Sequence, residues 1–186
     1  MSAELVYLAG PPGVGKSTLM QELTRRLEGT VVSDPFAHTY WTYPDGTLQA
    51  IELGWRRPTF AGTDTLSMRV QPAVVEWLGL QEYPLILGEG DRLANRNFLH
   101  AAAGRGYHIT LVVLRAPQDV LDERRDERGS HQNGAWMKGR ATKVERLHAY
   151  AQADGYRVID LDTRTEPAAL AADLANRLSP ILGWWS

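Results

Sequence analysis

Five short apolar runs punctuate the chain, at residues 5–9, 30–33, 85–88, 109–114 and 157–161. Each has the length of a strand buried in a sheet. Between them, apolar residues recur at helical spacing over 16–28, 66–80, 95–103, 117–128, 141–154 and 167–182. Strands that alternate with helices predict a parallel sheet covered on both faces. Pro117 and Pro167 stand where a first helical turn tolerates a residue without an N–H. No internal repeat interrupts the pattern.

The stretch 35–65 breaks this alternation. It carries Phe36, Tyr40, Trp41, Tyr43, Trp55 and Phe60, and its centre, 39–53, reads as a hairpin turning on Asp45-Gly46, because Asp-Gly readily supplies the positive φ angles of a tight turn. A long ordered insertion in a compact domain either covers substrate or packs into a satellite core. Both readings stay open.

Composition narrows the class. A length of 186 residues predicts one domain. A hydrophobic share of 44% with 23% charged residues is globular. No run approaches the length of a membrane span. The N-terminus enters an apolar strand without a basic region before it, unlike a secretory signal, so the expected location is the cytoplasm, with no membrane partner. The chain has no cysteine, which excludes disulfides, thiolate metal sites and cysteine nucleophiles. A net charge of −2 gives no general attraction to nucleic acid, so any such contact needs a local basic patch.

Gly10-Pro11-Pro12-Gly13-Val14-Gly15-Lys16-Ser17 satisfies G-x-x-x-x-G-K-[ST] in full, between a strand and a helix. Glycines let backbone N–H groups turn around phosphate oxygens, and the following helix presents its positive end. Lys16 is expected at the β- and γ-phosphates and Ser17 on Mg²⁺. With Thr18 these residues form the expected site for a nucleoside triphosphate, ATP. No Asn-Lys-x-Asp guanine element is present, and the chain is short for a ring-forming ATPase.

The order of these elements resembles that of the nucleotide kinase superfamily. The resemblance implies a three-layer α/β fold around a five-stranded parallel sheet of order 2-3-1-4-5, with a lid and the aromatic insertion. In such folds the second strand ends beside the phosphate loop. Asp34, which closes that strand here, then resembles the aspartate of polynucleotide kinases that orients the acceptor hydroxyl and takes its proton. It can equally cap the turn before Pro35. Gly88-Glu89-Gly90-Asp91-Arg92 resembles the third-strand ends of nucleoside and nucleotide kinases. One of Glu89 and Asp91, with Glu89 the first choice, is expected to hold Mg²⁺ and the other or Arg92 to meet the acceptor, the two roles staying open between them, with helix capping by Asp91 as the alternative.

Arg124, Arg125 and Arg128 precede a glycine-bounded loop, and Trp136, Lys138, Arg140 and Lys143 follow it. Arginines on both sides of such a loop suit a lid over 128–140, with Arg124 on the nucleotide and Arg128 on the transferring phosphoryl group. They could instead pair with Asp122, Glu123, Asp126 and Glu127 on a solvated helix. His131 reads as an exposed loop residue rather than a catalytic one. Asp64, Trp41, Trp55, Arg56 and Arg57 make a plausible surface for stacking a base and neutralising phosphate.

Gly62-Thr63-Asp64-Thr65-Leu66-Ser67, Gly88 to Arg92 and the lid segment together resemble a group of bacteriophage and actinobacterial phosphate-loop kinases. That group includes the thymidylate kinase-like 5-hydroxymethyluracil DNA kinases. The resemblance implies phosphorylation of a hydroxymethyl group on an extruded base in DNA. A free nucleoside monophosphate, or another small alcohol, is the alternative acceptor, and a non-enzymatic ATP switch is a further one. The C-terminal Trp184-Trp185 reads as a docking element.

Overall fold

The computed structural model describes residues 3–55, 66–80, 83–127, 134–179 and 181–183. In chain order the elements are β1 (Glu4–Ala9), α1 (Lys16–Thr24), β2 (Glu28–Val32), β3 (His38–Thr42), β4 (Leu48–Leu53), α2 (Gln71–Leu78), β5 (Leu85–Glu89), α3 (Arg96–Ala103), β6 (His108–Arg115), α4 (Gln118–Asp126), α5 (Gly134–Ala153), β7 (Arg157–Asp162) and α6 (Pro167–Arg177).

All seven strands form one sheet in the order β2-β3-β4-β5-β1-β6-β7. From β4 to β7 every neighbouring pair is parallel, whereas β3 runs antiparallel to both its neighbours. The five expected strands are present and keep their relative order. The expected five-stranded sheet is nevertheless incorrect, because the β3–β4 hairpin is inserted into it between β2 and β5. The hairpin turns at Asp45-Gly46, where Gly46 has φ 84°. Its N–H donates to Tyr43 O at 2.9 Å, and Asp45 Oδ1 accepts the Thr47 N–H at 2.8 Å.

Strand alternation sorts the core into two layers. Leu5, Tyr7, Ile51, Ile86, Leu111 and Val113 face α2, α3 and α5. Val6, Leu8, Leu87, Val112 and Leu114 face α1 and α6. The hairpin contributes to both: Tyr40 packs against the first layer, Trp41 and Tyr43 against the second. Residues 38–53 are therefore sheet, not a cover over it. Helix α2 begins later than its apolar pattern suggests, since Pro72 lies in its first turn and the missing N–H is tolerated only there. Helix α5 starts at Gly134, two turns ahead of the expected 141, so residues 134–140, assigned to a lid from sequence, are regular helix. No helix among the described residues is long and apolar enough to cross a membrane.

Candidate active site

The carboxyl ends of β1 and β5 build the site. Glycines 13 and 15 of the loop between β1 and α1 have φ 84° and 98°, which L side chains adopt only with strain. Gly13 is also covered: a Cβ there would lie 3.2 Å from Arg125 Cγ. Helix α1 starts at this loop with neither a side-chain cap nor an acidic residue in its first turn. Its positive end therefore stays available to an anion. Lys16 Nζ donates to Gly10 O at 2.9 Å and Pro11 O at 3.1 Å, arching over the loop.

Ser17 Oγ donates to Glu89 Oε2 at 3.0 Å. Glu89 ends β5 in register with Leu8 of β1. Its backbone is held from below, since the buried Tyr7 hydroxyl donates to Glu89 O at 3.1 Å and to Gly90 O at 3.2 Å. A hydroxyl and a carboxylate side by side at a phosphate loop fit Mg²⁺, which takes one or two protein oxygens and completes its shell with phosphate and water. Among the described residues no cluster of three or more acidic or histidine side chains could hold a metal unaided.

Asp91 follows two residues later. Its carboxylate accepts from Lys143 Nζ at 2.9 Å and pairs with Arg140, both on α5. Burial pushes the Asp91 carboxyl up, but Lys143 and Arg140 outweigh it and hold it below the usual carboxylate range. The Arg92 guanidinium lies against Met68.

Beyond the other side of the loop, Arg124 donates to Thr163 Oγ1 at 3.1 Å and to Thr163 O at 2.6 Å. Both border a cleft of about 230 Å³ with Gly15, Thr18, Thr165 and Pro167. The cleft adjoins the phosphate loop, whose Val14 and Gly15 help to line it. A larger cavity of about 560 Å³ lies between α4 and α5 and meets the loop only at Pro11. Arg125 lines it, pairs with Asp122 and leaves Nη1 buried without a hydrogen-bond partner among the described residues.

Two expected site residues fall elsewhere. Asp34 was placed at the nucleotide because β2 was expected to flank the phosphate-loop region. Three strands, β3, β4 and β5, separate β2 from β1, a lateral distance of roughly 19 Å at normal strand spacing. Asp34 is exposed at the sheet's edge, so the geometric reason for a catalytic role is gone. Trp41 was expected to stack a base. Its indole instead covers Gly29, where a Cβ would lie 2.7 Å from the ring, and donates from Nε1 to Glu52 Oε2 at 2.9 Å. Arg56, Arg57, Asp64, Arg128, His131, Trp184 and Trp185 lie outside the described residues.

Sequence reasoning missed Glu52, a carboxylate only 3% exposed on the strand that does neighbour β5. It stands opposite Leu87, on the sheet face that carries Glu89 two residues further along. It also missed Thr163 and Thr165, hydroxyls in a loop with no pattern of their own. The composition of the loop between β7 and α6 carries no signal for them.

A phosphate loop at the end of an interior strand, with its serine joined to an acid on the neighbouring strand, defines a phosphate-loop nucleotide-binding fold. The chain belongs to the P-loop Nucleotide Kinase3 family, whose model matches residues 1–178. None of the curated proteins matches it. Among solved structures, the Deinococcus radiodurans tunicamycin resistance protein is similar at TM-score 0.52 and 17% identity, covering 95% of this chain and 96% of that one. A sugar kinase from Janibacter sp. HTCC2649 aligns at TM-score 0.48 and 15% identity over 97% and 98% of the two chains. Shikimate kinase from Acinetobacter baumannii aligns at 0.45 and 16% over 95% and 94%. At these identities the likeness concerns the fold.

Proposed function

We propose that this protein transfers the terminal phosphoryl group of ATP to a hydroxyl of a small-molecule acceptor, with Mg²⁺ as cofactor. The observation that carries the reading is the Ser17–Glu89 hydrogen bond at the mouth of the loop. It sets two metal-compatible oxygens beside the place where the β- and γ-phosphates would lie. When bound, Mg²⁺ would neutralise charge on those phosphates. Lys16 would exchange its loop carbonyls for phosphate oxygens. Loop amides and the α1 terminus would hold the remaining charge. The acceptor oxygen attacks the γ-phosphorus, the bond to the β,γ-bridging oxygen breaks, ADP leaves with that electron pair, and the hydroxyl proton passes to water.

The narrower reading, a hydroxymethyl group on 5-hydroxymethyluracil in DNA, would use Trp41 among its stacking residues, and that ring is engaged in packing. A small acceptor requires no such platform. Radiolabelled ATP should be incubated with a panel of small polyols and hydroxy acids, nucleoside monophosphates, DNA containing 5-hydroxymethyluracil and plain DNA. Label on a polyol or hydroxy acid supports the reading, and label on a nucleoside monophosphate would replace the hydroxyl acceptor with a phosphate. Label confined to DNA would replace it with the DNA-base reading. No transfer to any acceptor and no ATP consumption would defeat the phosphotransferase assignment.

A further inference from the structure

The charge cluster at Asp91 has no role in the loop or the metal pair. Two residues of chain, at most about 7 Å, separate Asp91 from Glu89, and Glu89 touches Ser17. Arg140 and Lys143 are three apart on α5, so they share a helix face, and both converge on this one carboxylate. Lys143 Nζ additionally donates to Asp91 O at 2.7 Å. The side chains of Asp91, Arg140 and Lys143 are 37%, 28% and 35% exposed. Ion pairs this open to water add little to stability, so folding alone does not account for two cations gathered on one acid.

Position argues for a ligand. The cleft beside Arg124 and Thr163 borders α1 and α6, whereas Asp91 is held by α5, which packs on the opposite sheet face. The phosphate loop lies between them. A nucleotide with its terminal phosphate at Ser17 would have its reacting end beside Glu89, two residues from the carboxylate that Arg140 and Lys143 hold. A guanidinium fork beside an ammonium recognises a carboxylate or phosphate monoester. The Lys143 bond to the Asp91 backbone would keep the ammonium in place while the side-chain carboxylate is exchanged.

We propose that Arg140 and Lys143 form a seat for an oxyanion of the acceptor, and that Asp91 fills this seat until the acceptor displaces it. The acceptor is then an anionic alcohol, bearing a carboxylate or a phosphate monoester beside its reacting hydroxyl. This rests on the phosphotransferase reading above.

The test titrates inorganic phosphate into the full chain loaded with Mg²⁺ and a non-hydrolysable ATP analogue, so that the donor site is filled. Arg140→Ala and Lys143→Ala should each weaken phosphate binding by about tenfold, the worth of one charge-assisted contact. Asp91→Asn should tighten it several-fold, because an internal competitor is removed, and Arg140→Lys should recover part of the loss. Thermal melts confirm that each variant is folded. A second arm compares transfer to glycerate, glycerol 3-phosphate and glycerol, which separates carboxylate from phosphate and both from a neutral alcohol. Preference for one anionic member supports the seat. No phosphate binding by the wild type, weaker binding in Asp91→Asn, variants without effect, or equal transfer to glycerol would overturn it. Failure of the phosphotransferase reading would look different: the analogue itself would not bind, or ATP would not turn over with any acceptor.

Discussion

Gly88 of β5 and Tyr7 of β1 stand opposite each other in the sheet, so close that a Cβ at position 88 would lie 2.6 Å from Tyr7 Cδ2 and 2.7 Å from Cε2. Tyr7 is fully buried, and its hydroxyl carries the two hydrogen bonds that hold the backbone at Glu89 and Gly90. At distances this short Gly88→Ala must shift either ring or strand. Overpacking of this kind costs about 1–3 kcal/mol. Losing the Tyr7 hydroxyl contacts adds about 1 kcal/mol. At roughly 2–4 °C per kcal/mol for a chain of this size, the midpoint of thermal unfolding should fall by roughly 4–16 °C. Tyr7→Phe keeps the ring and should lose only the hydrogen-bond part, about 1 kcal/mol. Tyr7→Leu combined with Gly88→Ala should cost less than the sum of the two single changes, since the methyl then fills space the ring has left. Differential scanning calorimetry of the four variants tests this. A Gly88→Ala protein that melts like the wild type, or strict additivity in the double variant, would refute the packing account of how Glu89 is positioned.

The other predictions concern the site. Glu89→Gln should lower turnover by about 10²-fold or more with the fold intact, because it removes the charge beside Ser17 where the phosphates' cation would sit; steady-state rates across Mg²⁺ concentrations check it, and an unchanged rate would remove Glu89 from the metal pair. Asp34→Asn should leave turnover within about twofold, as expected for an exposed residue far from the chemistry; a large loss would mean that the edge of the sheet reaches the nucleotide. The Asp91 carboxyl lies below its ordinary value because Lys143 and Arg140 outweigh the effect of burial. Its contribution to stability should therefore be complete above about pH 4 and fade as the pH falls through its lower folded value. Melting curves from pH 2 to 7 should show Asp91→Asn lacking that acid-dependent part, which stays small at this exposure.

Much of the fold was legible because the decisive patterns are local. A run of apolar residues between turn residues identifies a strand, and Asp45-Gly46 identified the hairpin. The phosphate loop was legible because its glycines and Lys16 serve backbone geometry and charge within eight consecutive residues. The docking of the hairpin was not. It depends on the register of Ile51 with Ile86, a pairing between distant segments, and His38-Thr39-Tyr40-Trp41-Thr42 reads as well for an exposed ribbon as for an interior strand. The two inserted strands carry Asp34 about 10 Å further from β1 than the expected order does, and they hid Glu52, whose burial arises only when β4 lies against β5. Arg140 closes the segment expected as a lid, and Lys143 lies just beyond it. Their helical spacing of three was visible, but their common partner Asp91 lies about fifty residues away in sequence.

Isothermal titration of Mg·ATP into the wild-type protein and into Lys16→Ala addresses the central claim most directly. One equivalent should bind to the wild type, and the substitution should weaken binding by at least about tenfold while the melting temperature without nucleotide stays close to that of the wild type. Absence of binding to the wild type, or equal binding to both proteins, would contradict a phosphate-holding loop at residues 10–17.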